Sequence, residues 1–210
     1  MPSRPKLTQQ RRLQTLDAAV EVIGEKGLAE TRVADIATRA GLSPGLLLYY
    51  FTSKDDLLTE ALTYAEDRFY LEIFHELSEI SDPRRRLEQL IVRSCPSDMT
   101  IGEVGDWKLW IELWARAVHN PEAARKRAAL DRRWRTTIVE TVRAGQEEGH
   151  FARHADAEDF AIRLAALMDG LALQVVLRDP AVSTEKMRAL CLETATQRLE
   201  FEIPVDELRR

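Results

Sequence analysis

From residue 13 onward, apolar side chains return every three or four positions, the spacing of one buried helix face. Leu13, Leu16, Val20 and Ile23 form the first run, and Gly27 follows as a C-cap. Val33, Ile36, Ala37 and Ala40 predict a short second helix ended by Gly41. Ser43 is placed to cap a third beginning at Pro44, where proline is tolerated because the first-turn N–H has no helical partner. Leu57, Leu58, Ala61, Leu62, Ala65, Phe69, Ile73 and Leu77 hold one face of a fourth, from near Lys54 to about residue 79. At 1.5 Å per residue it would be roughly 40 Å long. Leu87, Leu90 and Ile91 mark a fifth helix, and the stretch from Pro96 to Gly105 breaks the pattern. Trp107, Trp110, Ile111 and Trp114 belong to a sixth. Asn120-Pro121 opens a seventh that closes at Gly149. Asp156 caps an eighth, through Phe160, Leu164, Leu167, Met168, Leu171 and Val175, which ends at Asp179-Pro180. Ser183 opens a ninth through Met187, Leu190, Cys191 and Thr194. No strand-like alternation and no repeat period interrupts this order, so the expected fold is all-α with about nine helices.

Composition sets the class. At 210 residues, with 45% hydrophobic and 31% charged side chains, the chain can bury a substantial core. No stretch approaches the ~18–20 apolar residues that a membrane helix needs, and no apolar run follows a basic N-terminus. The expectation is a cytoplasmic protein with no membrane partner. Cys95 and Cys191 are far apart in sequence and form no CxxC pair, which points to buried free thiols. Charge is uneven: residues 1–55 hold eight Lys/Arg against six Asp/Glu, a net of +2, while the whole chain carries −5. Four cations and no acid fall in the first twelve residues. A basic head on an acidic body suits local binding of a polyanion.

Residues 33–51 fit a helix-turn-helix. Ala37 is small where two short helices cross, Gly41 sits at the turn, and Leu42 and Leu47 are apolar enough to lock the pair. A recognition helix may be short because only its N-terminal turns enter a major groove. On this reading Pro44, Gly45 and Leu46 approach the bases, the Tyr49 and Tyr50 hydroxyls reach phosphates, and Lys54 offers a phosphate both its own charge and a positive helix end. The alternative is one more helical hairpin of a bundle, with the tyrosines half-buried.

Residues 8–58 resemble the DNA-binding head of the TetR family of bacterial transcriptional regulators. The resemblance is carried by Thr31, Asp35-Ile36-Ala37, Ala40-Gly41, Ser43, Tyr49-Tyr50-Phe51 and Lys54. It implies a DNA-binding domain over residues 1–55 and a ligand-binding and dimerisation domain over 56–210. It also implies DNA contacts from Thr31, Arg32, Ser43, Pro44, Gly45, Leu46, Tyr49, Tyr50 and Lys54. Two positions depart from the family pattern: Leu48 stands where most members have tyrosine, and Leu46 where many have a polar residue. Leu46 can offer a base only apolar contact, such as to a thymine methyl. The C-terminal half, with "WKLWIELWARAVHNPEAARKRAALDRRWR", is similar to the subgroup that includes the choline-responsive betaine-pathway repressor.

Trp107, Trp110 and Trp114 share one face of the sixth helix and admit two readings, core or the wall of a ligand cavity. With Trp134 and Met168 they would enclose an apolar or cationic effector, indole faces being attractive to cations. The expected protein is a repressor that binds a palindromic operator on double-stranded DNA as a homodimer through its last two helices, with no cofactor and no metal. Small residues at Ala165, Ala166, Gly170 and Ala172 would let two copies approach closely. The rival is an all-α enzyme using Asp106, Glu112 or the His150/His154 pair, but the sequence has no nucleophile elbow, phosphate loop or dinucleotide fingerprint. The basic run at 125–135 reads as a solvated helix face with Glu122 and Asp131 interleaved.

Overall fold

A computed structural model describes residues 4–96 and 107–204, with side chains from residue 9 onward. The described residues form nine α-helices and no strand: α1 Arg4–Lys26, α2 Val33–Ala40, α3 Pro44–Tyr50, α4 Lys54–Ser78, α5 Pro83–Ser94, α6 Trp107–His119, α7 Pro121–Glu147, α8 Ala157–Val176 and α9 Thr184–Leu199. Most of the stretch predicted to break the pattern after Pro96, and Asp106 with it, lies outside the described residues.

The predicted caps stop and start these helices. Ser43 Oγ accepts the Leu46 N–H at 3.2 Å and Ser183 Oγ the Lys186 N–H at 3.1 Å. Asn120 Oδ1 accepts from Glu122 and Ala123, and Asp156 Oδ1 from Glu158 and Asp159. Each satisfies donors that the first helical turn leaves open.

Contacts divide the chain into two compact units. One comprises Met1–Phe69 and Asp98–Ala128, the other Tyr70–Ser97 and Ala129–Arg210, so α4 and α7 each contribute to both. In the first unit Leu16, Val20, Ile23, Ile36, Leu47, Phe51, Leu57 and Leu62 are buried. Each large apolar side chain so buried stabilises by about 1.5–3 kcal/mol relative to exposure. In the second, Leu87, Leu90 and Ile91 of α5, Ile138 and Val142 of α7, Leu164 and Met168 of α8, and Met187, Cys191 and Leu199 of α9 form the core. Phe151 and Phe201 meet edge to face at 4.8 Å, and Gly145 on α7 makes room for them: a Cβ there would lie 2.2 Å from the Phe151 ring. Both cysteines are buried free thiols, and desolvation pushes Cys191 up to about 12. Among the described residues no helix is long and apolar enough to cross a membrane.

Candidate nucleic-acid interface

The turn between α2 and α3 is set by Gly41, whose φ of 67° lies in the left-handed region that a Cβ disfavours. That conformation lets the Gly41 and Leu42 N–H groups bond back to the Thr38 and Ala37 carbonyls, at 3.2 and 2.9 Å, and closes α2. Ile36, Ala37, Leu47 and Phe51 are fully buried and clamp the two short helices together. Asp35 accepts the Arg32 N–H at 3.2 Å and pairs with Lys26 at 3.1 Å, an arrangement that holds its carboxyl below the usual range, chiefly through the Lys26 bond.

This packing decides which predicted contact residues face outward. Arg32, Ser43, Pro44, Gly45, Tyr49 and Lys54 are exposed. Leu46 and Tyr50 are half-buried, the Tyr50 ring standing 5.5 Å from that of Tyr49 in a T-shaped pair. Thr31 is different. It is fully buried and its hydroxyl donates to the Gly27 carbonyl at 2.7 Å. A side chain with no accessible surface offers DNA nothing, so Thr31 serves the connection between α1 and α2 and its assignment as a DNA contact is withdrawn. Leu48, which stands where most members of the family have tyrosine, is 52% exposed on the outer side of α3.

Lys54 opens α4. Ser53 Oγ accepts the Asp56 N–H at 3.0 Å while Asp56 accepts from the Thr52 N–H at 3.0 Å and its hydroxyl at 2.9 Å, a reciprocal cap. The neighbouring Asp55 is paired with Arg116. Both carboxylates beside Lys54 are therefore engaged within the unit.

Sequence reasoning missed the residue that braces this surface. Arg12 on α1 bonds both carboxylate oxygens of Glu60 and the Tyr50 carbonyl, and its guanidinium lies 4.5 Å from the centre of the Phe51 ring. It ties the end of α3 to α4. Arg39 likewise bonds Glu21 and Glu25. Of the eight cations in residues 1–55, Arg12, Lys26 and Arg39 are thus paired with carboxylates of the same unit, whereas Arg11, Arg32 and Lys54 are exposed and make no salt bridge among the described residues. A count of charges cannot separate the two groups; only the fold brings the acids to the bases.

The first unit also contains α6, and α6 is bonded to the head. Glu112 Oε1 accepts the Leu28 N–H at 3.1 Å, just past the end of α1. Arg116 bonds the Thr59 hydroxyl, donates to the Asp55 carbonyl at 3.0 Å and pairs with the Asp55 carboxylate. A cleft of about 390 Å³ lies among Leu28, Asp55, Glu112, Ala115, Arg116, His119 and Asn120. Glu112 therefore has a structural partner, and neither reading of the sequence foresaw it.

The three α6 tryptophans cluster. Trp114 meets Trp107 edge to face at 6.1 Å and Trp110 at 6.3 Å, and Arg127 lies 5.4 Å from the Trp114 ring centre. All three are half-buried, whereas Leu109 and Leu113 of the same helix are the fully buried residues. The Trp114 indole N–H is buried and has no hydrogen-bond partner among the described residues. Trp134, half-buried, and Met168, buried, belong to the second unit. His150 and His154 sit beside Glu148 at 3.5 Å and Glu200 at 3.7 Å, and no group of residues suited to a metal occurs among those described.

Residues 16–61 match the family described as bacterial regulatory proteins, tetR family, and residues 83–200 match the BetI-type transcriptional repressor C-terminal domain. The HTH-type transcriptional regulator BetI of Serratia proteamaculans is 31% identical over 204 residues, covering 95% of this chain and 99% of the relative. The protein of the same name from an Escherichia coli O45:K1 strain is 28% identical over 197 residues, covering 93% and 98%. Among solved structures, a transcriptional regulator from Saccharomonospora viridis in complex with choline superposes with a TM-score of 0.82 at 31% identity, covering 91% of this chain and 98% of that one. A TetR-family regulator from Rhodococcus sp. gives 0.76 at 29% identity, covering 91% and 99%. These relatives are transcriptional regulators, and the enzyme reading finds no support among them.

Proposed function

The chain belongs to the TetR family of bacterial regulators and carries a BetI-type repressor C-terminal domain, and on that premise we propose a cytoplasmic homodimeric repressor released from a palindromic operator by a small quaternary ammonium compound such as choline. The head, residues 1–55, binds DNA. The rest, residues 56–210, dimerises and senses the effector.

The observation that carries the effector assignment is the indole cluster on α6. Indole faces attract a cation by about 0.5–2 kcal/mol per ring, the larger value when water is excluded. With Arg127 already over Trp114, the ring of Trp110 is the one proposed to receive an ammonium group. The unpartnered Trp114 N–H calls for an acceptor, which a ligand hydroxyl or carboxylate oxygen supplies. A choline-bound neighbour of similar fold supports the same class.

Dimerisation is assigned to α8 and α9. Ile162 on α8 and Leu177, its C-cap, are 59% and 69% exposed, with Ala166 and Gly170 exposed between them. A two-fold axis presents such a stripe to itself. Ala172 is fully buried and Ala165 half-buried, so Ala166 and Gly170 are the small residues open to a second copy. Effector and operator compete through α6, because Glu112 and Arg116 bond it to Leu28 and Asp55 of the head. Coupling is reciprocal: an effector that weakens operator binding is itself weakened by the operator.

The test is titration of choline against a protein–operator complex, following DNA release and tryptophan fluorescence together. Choline is expected to lower DNA affinity and change the fluorescence, and Trp110→Ala to blunt both responses. Release by a neutral apolar compound with no response to choline would overturn the quaternary-ammonium assignment.

A further inference from the structure

We propose that α3 reads the operator through thymine methyl groups, with Leu48 and Tyr49 packed against them and Gly45 admitting the helix backbone close to the base edges. The proposal rests on the operator-binding reading above and deepens it.

The recognition helix, PGLLLYY, carries no amide, carboxylate or cationic side chain. Bidentate readout of guanine or adenine takes Arg, Lys, Asn or Gln, and α3 has none. Its polar atoms are the two tyrosine hydroxyls and the capping Ser43 Oγ, which already accepts the Leu46 N–H. What faces outward is apolar. Leu47 is fully buried and Leu46 half-buried, whereas Pro44, Gly45, Leu48 and Tyr49 are exposed, Leu48 and Tyr49 by 52% and 78%. Position 48 lies four residues beyond 44 and three beyond 45, and 49 lies four beyond 45, so the four fall on one side of the helix. The major groove has one apolar feature to set against such a face, the C5 methyl of thymine.

Gly45 gives an independent indication. A Cβ there would meet no atom within 4 Å, and its φ is not in the left-handed region. Neither the packing nor the backbone of the head calls for glycine, and glycine weakens a helix relative to alanine. The absent side chain is explained by something outside the chain that must come close, and at this position of a recognition helix that is the floor of the groove. Leu48 rather than Leu46 is the reading residue, because packing against the head turns Leu46 partly inward.

The experiment starts with full-length protein and duplexes selected from random DNA for binding. In the best duplex each thymine is replaced singly by deoxyuridine, which removes the methyl and leaves base pairing and O4 in place. We expect affinity to fall about fourfold at one or two positions in each half-site, the value of one buried methyl. Leu48→Ala should bind the thymine duplex more weakly and become indifferent to deoxyuridine at one of those positions. Gly45→Ala should melt at the same or a higher temperature yet bind every duplex less well. Specific binding that tolerates every deoxyuridine would overturn methyl readout and leave the repressor assignment standing. Methyl sensitivity that survives in Leu48→Ala and disappears in Leu46→Ala would overturn the assignment to Leu48. Failure to enrich any duplex would instead strike the operator-binding reading itself.

Discussion

Lys54 and Arg12 are both cations of the head, yet the fold gives them different work. Lys54 is exposed at the start of α4, with both adjacent carboxylates engaged elsewhere. Lys54→Ala should leave stability nearly unchanged and weaken binding on all DNA sequences alike. It should also reduce the slope of log affinity against log salt by about one, the signature of one lost phosphate contact. Arg12 is committed inward, to Glu60, the Tyr50 carbonyl and the Phe51 ring. Arg12→Ala strands a partly buried carboxylate and should cost about 1–3 kcal/mol of stability, measured by denaturant melting, with a salt slope close to that of the unmodified protein. A reversal of these two outcomes would mean that Arg12 contacts DNA. The sequence places both residues in a basic N-terminal region; it does not say which acids lie opposite them.

At the scale of elements, α5 and α6 show local chemistry with measurable consequences. Asp82 caps α5, and hydrogen bonds from the Arg84 guanidinium, opposed by partial burial, hold its carboxyl at about 2 against an ordinary 3.8. A carboxyl lowered by folding contributes stability above its ordinary value and loses it as pH falls towards the folded one. The stability conferred by Asp82 should therefore disappear between about pH 4 and pH 2, and Asp82→Asn should flatten that part of an acid-melting curve. Helix α6 carries the tryptophans on one side and the bonds to Leu28 and Asp55 on others. Arg116→Ala should leave effector binding, read by fluorescence, near its original strength while reducing the effector's power to dislodge DNA. Equal release by the altered protein would show that coupling runs through other contacts. The periodicity predicted α6 as a helix, but the bonds of Glu112 to Leu28 and of Arg116 to Asp55 were not legible in it, because those partners lie 84 and 61 residues away.

For the whole molecule, the exposed apolar stripe of α8 argues for assembly. Ile162→Arg should shift the protein towards monomer in light scattering at micromolar concentration and weaken binding to a two-half-site operator far more than to a single half-site. A chain that remains dimeric with arginine at 162 would move the interface off this stripe. The head would still fold in such a variant, because its buried residues lie in α1 to α4 and none of them in α8.

The sequence by itself determined the helices and where they begin and end, since periodicity, caps and glycine stops act within a few residues along the chain. It also determined the helix-turn-helix and its family, whose motif is nearly contiguous. Tertiary structure alone decided which face of each short helix is inside. It buried Thr31 and Ala172, turned Leu46 partly inward, left Leu48 outside and paired Arg12 with Glu60 and Arg116 with Asp55. The physical reason is that on a helix as short as α3, seven residues, leucines at successive positions carry too little periodicity to mark a face. Burial there is set by Ile36 and Ala37 of α2, which reach it only once the chain has folded back on itself.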